Sequence, residues 1–122
     1  MPRLKYGLWK TIAVNRLRIG LYALHINRWL SAFPREQCLF IRMEDYSKHR
    51  AQVLNEQIFP FLGLPPMDDS RITNEVKNHN AHGNQVEMLN KTRLLLKQFH
   101  EPFNKKLAEL LNDERWEWSD IS

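Results

Sequence analysis

The 122 residues carry 18 Lys and Arg against 14 Asp and Glu, with 43% hydrophobic content, enough for one domain with a modest core and not for two. No apolar run approaches the roughly 18 residues of a membrane-spanning helix, and the first residues lack the order of a signal peptide. Cys38 is the one cysteine, so the chain offers no disulfide framework of its own and no thiolate metal site.

Charge is unevenly spread. Arg3, Lys5, Lys10, Arg16, Arg18, Arg28 and Arg35 stand in the first 35 residues with no acid among them, leaving eleven bases against fourteen acids beyond. Such polarity favours an anionic partner for the first third, whether phosphate, nucleic acid, acidic glycan or lipid headgroups; the plainer reading is a set of solvated basic helix faces.

In chain order, Ile19 to Phe33 places Leu21, Leu24, His25, Trp29 and Leu30 at spacings of three and four, with Tyr22, Ile26 and Phe33 widening the stripe, as an amphipathic helix requires. Pro34 ends it. Residues Gln37 to Met43 contain the run Leu39, Phe40 and Ile41, too short for a helix and continuous rather than alternating, which fits a strand covered on both faces of a parallel sheet. A second helix is expected from Ser47, with Val53, Leu54, Ile58 and Phe61 on one side, a kink at Pro60, and closure at Gly63 before Pro65 and Pro66.

Helix, strand, helix is the repeating unit of an α/β fold. Between strand and second helix, Asp45 or Ser47 can cap the helix start and Glu44 can complement its dipole. The strand's own backbone groups need neighbours that this chain does not obviously supply, which implies partner strands encoded elsewhere.

Beyond Pro66 a polar stretch, "MDDSRITNEVKNHNAHGNQVEM", offers Ile72 and Val76 as weak anchors for a further strand. Then Leu95, Phe99, Phe103, Leu107, Leu110 and Leu111 mark a helix pair or one helix kinked at Pro102, and the tail "ERWEWSD" is expected to fold Trp116 and Trp118 onto the core.

In the polar stretch, His79 and His82 lie three apart, a spacing open to a metal, but no acid or cysteine supplies a third ligand, so no metal is expected. The same loop is a plausible anion contact. Gly83 allows close backbone approach, while Lys77, the two imidazoles and neighbouring Asn84 offer donors; an ordinary solvated loop is the alternative. No GxxxxGK[ST], no GxSxG and no distinguishable Ser, His, Asp trio occurs, so no catalytic residue is assigned.

The stretches "GLYALHINRWLSAFPREQCLFIRMEDY", "FPFLGLPP" and "TRLLLKQFHEPFNKKLAELLNDERWEW" together resemble the C-terminal half of the Golgi carbohydrate sulfotransferases, over roughly Ile19 to Trp118. Five pieces stand in family order: G-x-Y-x-x-H-x-x-R-W-L, F-P-x-x-Q, an acidic strand exit, F-L-G-L, and F-x-x-P-F-N-x-x-L-x-x-L-L. The resemblance implies an α/β fold similar to nucleotide kinases, of which residues 1–122 would form a mostly helical C-terminal part with one or two strands, lacking the phosphate-binding half. It also implies transfer of a sulfonyl group from 3′-phosphoadenosine 5′-phosphosulfate, the co-substrate, to a sugar hydroxyl of a sulfated glycosaminoglycan, and residence in the Golgi as part of a single-pass type II membrane protein.

In that family the phosphate loop, the base and the residues holding the 3′-phosphate lie upstream of the matched segment. Heparan-type members carry a Lys-Gly-Arg stretch and two cysteines in the loop before the last helix; here it reads "KNHNAHGN", a departure that favours the chondroitin-acting branch. By this analogy His79 would lie beside the adenine, and His82, Gly83 and Asn84, with Lys77, near phosphate. Tyr22, His25, Arg28 and Trp29 match family positions that packing alone can explain. Two other classes stay open: a basic helical module that binds nucleic acid or acidic glycan without chemistry, and an interaction domain that has lost catalysis. Basic residues interleaved with Trp9, Ile12, Leu17 and Leu21, with no stacking platform, argue against nucleic acid.

Overall fold

The computed structural model describes residues 11, 13–72 and 86–119. The chain divides into two compact units, Met1–Phe33 with Met88–Ser122, and Pro34–Glu87.

In the first unit, helix α1 (13–19) runs into Gly20, where the helix breaks and Leu21 takes φ −83°, ψ 71°. Helix α2 follows as Tyr22–Ala32. The break frees the Arg18 carbonyl, which accepts from the Leu21 amide (3.1 Å) and from His25 Nε2 (3.2 Å). Helix α6 is one continuous element, Asn90–Leu111, with Pro102 inside it rather than a helix pair. A Cβ on Gly20 would lie 3.2 Å from the His100 ring of α6, so the absent side chain lets α6 approach the α1–α2 corner.

Asn112 ends α6 in the left-handed conformation at φ 53°, with Asp113 N–H donating to Ala108 O (3.0 Å) and Asn112 N–H to Glu109 O (3.2 Å). This is the paired closure that glycine more often provides. Asp113 then accepts from the Arg115 amide and starts a 3₁₀ turn, Glu114–Glu117. As the composition of the tail implies, this turn folds back on α6, burying Trp116 and half-burying Trp118. Leu21, Ala23, Leu107, Ala108, Leu111 and Trp116 form the core of this unit.

The expected α2 and α6 stripes are only partly covered. Leu24, Trp29, Phe33 and Tyr22 are exposed on α2, and Leu95 and Phe99 on α6, because the buried faces run through Ala23 and through Leu107, Ala108 and Leu111. Small Ala at 23 and 108 lets helix backbones pack closely, which moves the contact line off the larger apolar residues.

In the second unit, the expected strand over Gln37 to Met43 does not form, and no strand occurs among the described residues. Arg35–Gln37 is a 3₁₀ turn, after which Cys38 and Arg42 take extended dihedrals. Among the described residues no backbone hydrogen bond links Leu39, Phe40 or Ile41 to another segment, and Leu39 is exposed. The physical reason is the one anticipated: an extended segment becomes a strand only when a neighbour accepts its ladder.

Helix α3 (Met43–Lys48) starts four residues before the expected Ser47. Its flanking residue Arg42 makes no side-chain cap; Glu44 and Asp45 lie inside the first turn, where anions complement the dipole. After a break at His49 come α4 (Arg50–Val53), a π turn (Leu54–Ile58) and α5 (Phe59–Leu62). Pro60 does not kink a regular helix. The wider π turn precedes it, with Phe59 N–H donating to Leu54 O, and so accommodates a ring that would clash with the carbonyl four residues back. Gly63 at φ 69° closes the helix as expected, through Leu64 N–H to Phe59 O (2.8 Å) and Gly63 N–H to Pro60 O (3.1 Å).

Asn55, in the π turn, clamps the following loop. Its amide donates to Met67 O (2.8 Å) and Asp69 Oδ1 (3.0 Å), while its oxygen accepts from Met67 N–H (2.9 Å). Ile72, expected as a strand anchor, is buried just past the 3₁₀ turn Asp69–Arg71 instead; Val76 lies outside the described residues.

Candidate functional site

Helix α6 repeats a polar set at helical spacing: Arg93, Lys97, His100 and Asn104 recur every three or four residues and share one face. Together with Glu101 and Lys105 this face forms the wall of a cleft of about 430 Å³. The opposite wall is the turn after α6, which contributes Glu117, Trp118 and Ser119. All of these residues belong to one unit.

Four contacts shape the cleft. His100 is held by Gly20 against its ring and by Phe99 edge-on at 5.1 Å. Trp118 adopts a left-handed backbone, φ 52°, ψ 33°, and stands edge-on to buried Trp116 at 5.6 Å and 89°. Tyr22 of α2 lies 6.3 Å from the Trp118 ring. A bulky residue in that backbone region is uncommon, and here it ends the 3₁₀ turn and orients the indole.

Charge within the cleft is graded along the helix. Glu101 and Lys105 pair at 3.0 Å, one turn apart. The hydrogen bond and charge of Lys105 hold the Glu101 carboxyl below its ordinary range, and the same hydrogen bond, then the charge of Glu101, raise Lys105. Among the described residues no ion pair joins Arg93 or Lys97, so the positive character sits toward the N-terminal end of the cleft.

A second hollow of about 390 Å³ lies in the other unit, around Lys48, His49, Arg50 and Asp69 at the α3–α4 break. The Arg50 guanidinium lies over the Tyr46 ring at 5.5 Å. The hollow's lining includes no Phe, Tyr or Trp.

The residues singled out in the sequence as an anion loop, Lys77, His79, His82, Gly83 and Asn84, lie outside the described residues. Of the family-like positions on α2, His25 is exposed and donates to the Arg18 carbonyl. Arg28 and Trp29, with Ala32 and Phe33, line a shallow hollow of about 250 Å³, with Trp29 and Phe33 stacked at 5.4 Å and 23°. Glu44 and Asp45 belong to the first turn of α3. No cluster of three His, Cys, Asp or Glu suited to a metal occurs among the described residues. The α6 cleft went unread in the sequence, although its signal was there: Arg93, Lys97, His100 and Asn104 form a polar stripe beside the apolar one.

Comparison with known proteins covers most of the chain. The model of a family described as the sulfotransferase domain matches residues 4–110. Carbohydrate sulfotransferase 15 of Homo sapiens is 32% identical over 109 residues, which is 84% of this chain and 19% of that protein. The Mus musculus protein of the same name gives the same figures. Carbohydrate sulfotransferase 15 of Nototodarus sloanii is 31% identical over 100 residues, covering 77% of this chain and 62% of the relative. The chain thus spans about a fifth of the length of the mammalian relatives it matches. No solved structure matches.

Proposed function

Because this chain belongs to the sulfotransferase-domain family, we propose that it forms part of an enzyme that moves a sulfonyl group from 3′-phosphoadenosine 5′-phosphosulfate to a sugar hydroxyl of a sulfated glycosaminoglycan such as chondroitin or dermatan sulfate. The observation that carries this reading is the family match over residues 4–110, which includes both the Leu39–Ile41 segment after α2 and all but the last residue of α6. The name of the relatives, carbohydrate sulfotransferase 15, supports a sugar as acceptor.

In this reaction the acceptor oxygen attacks sulfur as the bond from sulfur to the 5′-phosphate oxygen breaks. A base takes the hydroxyl proton, and charge develops on the leaving phosphate oxygen. Such displacement depends on positioning and on donors placed where that charge appears. No residue of this chain is assigned the base. Lys77, His82, Gly83 and Asn84 would hold nucleotide phosphate and His79 would lie beside the adenine, with no metal taking part.

The chain would work together with a phosphate-binding half of the same domain. Support comes from the Leu39–Ile41 segment, apolar, flanked by extended Cys38 and Arg42 and unladdered among the described residues, as an interior strand is when its neighbours are supplied from elsewhere. Golgi residence as part of a type II membrane protein belongs to the same proposal. Among the described residues no helix is long and apolar enough to cross a membrane.

The test is radiolabelled sulfonyl transfer to chondroitin sulfate. The isolated 122-residue chain is expected to transfer nothing, whereas a chimaera that joins it to the phosphate-binding half of a carbohydrate sulfotransferase is expected to be active. Transfer by the isolated chain overturns the half-domain reading. A chimaera that binds adenosine 3′,5′-bisphosphate but sulfates no glycan overturns the carbohydrate reading.

A further inference from the structure

We propose that the α6 cleft is a subsite for an acidic sugar chain, with anionic groups at Arg93 and Lys97 and a sugar ring packed against Trp118. The inference rests on the glycosaminoglycan reading above and deepens it, because it names where on this chain the acceptor polymer is gripped.

The argument begins with spacing. At 1.5 Å rise per residue, Arg93 and Lys97 lie about 6 Å apart along α6 and Arg93 and His100 about 10 Å apart, so the donors form a line rather than a cluster. A line of donors suits a polymer whose charges recur from ring to ring. Compact phosphate groups are better held by donors that converge on one point, as in backbone nests.

Composition of the lining decides further. Glu101, Glu117 and Asn104 alternate with the cations on the cleft walls. Carboxylates repel a densely charged phosphate chain, but they accept hydrogen bonds from hydroxyls, and a sugar chain presents hydroxyls between its charges. Glu101 pairs with Lys105 at 3.0 Å and also feels the charge of Lys97, so the carboxylates lie toward the Lys105 side and Arg93 marks the end of the cleft without one. The cleft therefore has an anion-accepting end and a hydroxyl-accepting end.

Trp118 supplies the third element. Its ring is fixed edge-on by buried Trp116 and lines the cleft, so the aromatic surface is in place before any ligand arrives. The apolar face of a sugar ring packs on such a surface without requiring a particular base or charge. Every lining residue belongs to the unit Met1–Phe33 with Met88–Ser122.

The test titrates the full chain with chondroitin sulfate hexasaccharide, a neutral chitin oligosaccharide, an RNA oligonucleotide and adenosine 3′,5′-bisphosphate, following tryptophan fluorescence and backbone amide shifts. Binding of the hexasaccharide is expected, with shifts at Lys97, His100 and Trp118. The double substitution Arg93→Ala with Lys97→Ala should weaken it about tenfold or more, the loss that one charge-assisted contact explains. Trp118→Ala should weaken it as well, and Trp118→Phe should recover part of that loss. Lys106→Ala, which removes one positive charge from α6 outside the cleft, should leave affinity within about twofold.

Circular dichroism and amide spectra identify any variant that fails to fold, and the Arg93 and Lys97 changes, both on exposed side chains, keep the test independent of Trp118 packing. Absence of glycan binding by the folded chain overturns the proposal. So does an equal loss from Lys106→Ala, or tighter binding of RNA or of the nucleotide with the same residue dependence. Glycan binding together with an inactive chimaera would retain this subsite and refute the sulfonyl-transfer reading. Active transfer without glycan binding at this cleft would do the reverse.

Discussion

Among the described residues, the unit formed by Met1–Phe33 and Met88–Ser122 buries six apolar side chains, Leu21, Ala23, Leu107, Ala108, Leu111 and Trp116, whereas Pro34–Glu87 buries only Val53 and Ile72. The second unit relies instead on directed polar contacts: the Asn55 clamp on Met67 and Asp69, the Asp68 side chain accepting from the Ser70 amide, and the paired closure at Gly63. Its buried cation, Arg42, lies with Nε 3.9 Å from Glu44 Oε2. Apolar packing stabilises in proportion to area and depends little on direction, whereas a clamp made of hydrogen bonds holds one loop in one geometry. One unit therefore carries the cohesive core and the cleft, and the other presents the apolar Leu39–Ile41 segment, which has no backbone ladder among the described residues.

The largest expected effect that sharpens this contrast is at Leu107, 1% exposed. Leu107→Ala should destabilise the chain by about 2–5 kcal/mol in urea unfolding, as deletion of a fully buried leucine side chain does. On the same helix Leu95, 58% exposed, should change stability by less than about 0.5 kcal/mol on truncation to Ala. A comparable cost at both positions would break the comparison, because it would mean that the outer face of α6 is covered in solution.

A smaller and more local effect is expected at Asn55. Asn55→Ala removes both hydrogen bonds to the Met67 backbone and one to Asp69, at a cost of about 1–3 kcal/mol. Hydrogen exchange should show lost protection at the Met67 amide, with the amides around Leu107 unchanged. Asn55→Asp should be worse still, since it keeps an acceptor for Met67 N–H but sets a second carboxylate against Asp69. If exchange accelerates as much around Leu107 as at Met67, the distinction between a cohesive core and a local clamp is lost.

The smallest effect concerns the solvent-exposed Glu101–Lys105 pair. With the Glu101 carboxyl lowered, its contribution is present above the ordinary carboxylate range and lost as pH falls through the lowered value. With Lys105 raised, the contribution is present below the ordinary lysine range and lost as pH rises through the raised value. Glu101→Gln should therefore differ from the parent only at intermediate pH, and solvent screening should bring that difference within error at physiological salt. Melting curves across pH at low and high salt provide the check. A clear salt-resistant loss would show that the pair holds the cleft wall in place.

Much of the local structure was legible in the sequence because its causes are local. The three-and-four spacing from Ile19 to Phe33 and the stop at Pro34 gave α2, Gly63 marked a left-handed helix end, and the two tryptophans of the tail lie against α6 as their composition implies. Local misreadings were equally instructive: Ser47 looked like a cap, yet the acidic pair before it is drawn into the first turn of α3, and Pro60 looked like a kink, yet a π turn makes room for it. The candidate anion loop from Lys77 to Asn84 lies outside the described residues, so it remains a proposal from the sequence.

Sequence alone determined the bodies of α2 and α6, the stops at Pro34 and Gly63, and the family to which the motif order points, because propensity, capping and spacing act within a few residues of one another. Only the tertiary structure decided which apolar stripe is covered, since Ala23 and Ala108 set the helix contact that leaves Trp29 and Phe99 outside. It alone also set Trp118, placed by a left-handed turn and the edge of Trp116, across from Arg93 and Lys97. Such meetings depend on side chains distant in sequence competing for the same surface, and no local rule ranks those competitors before the chain has packed.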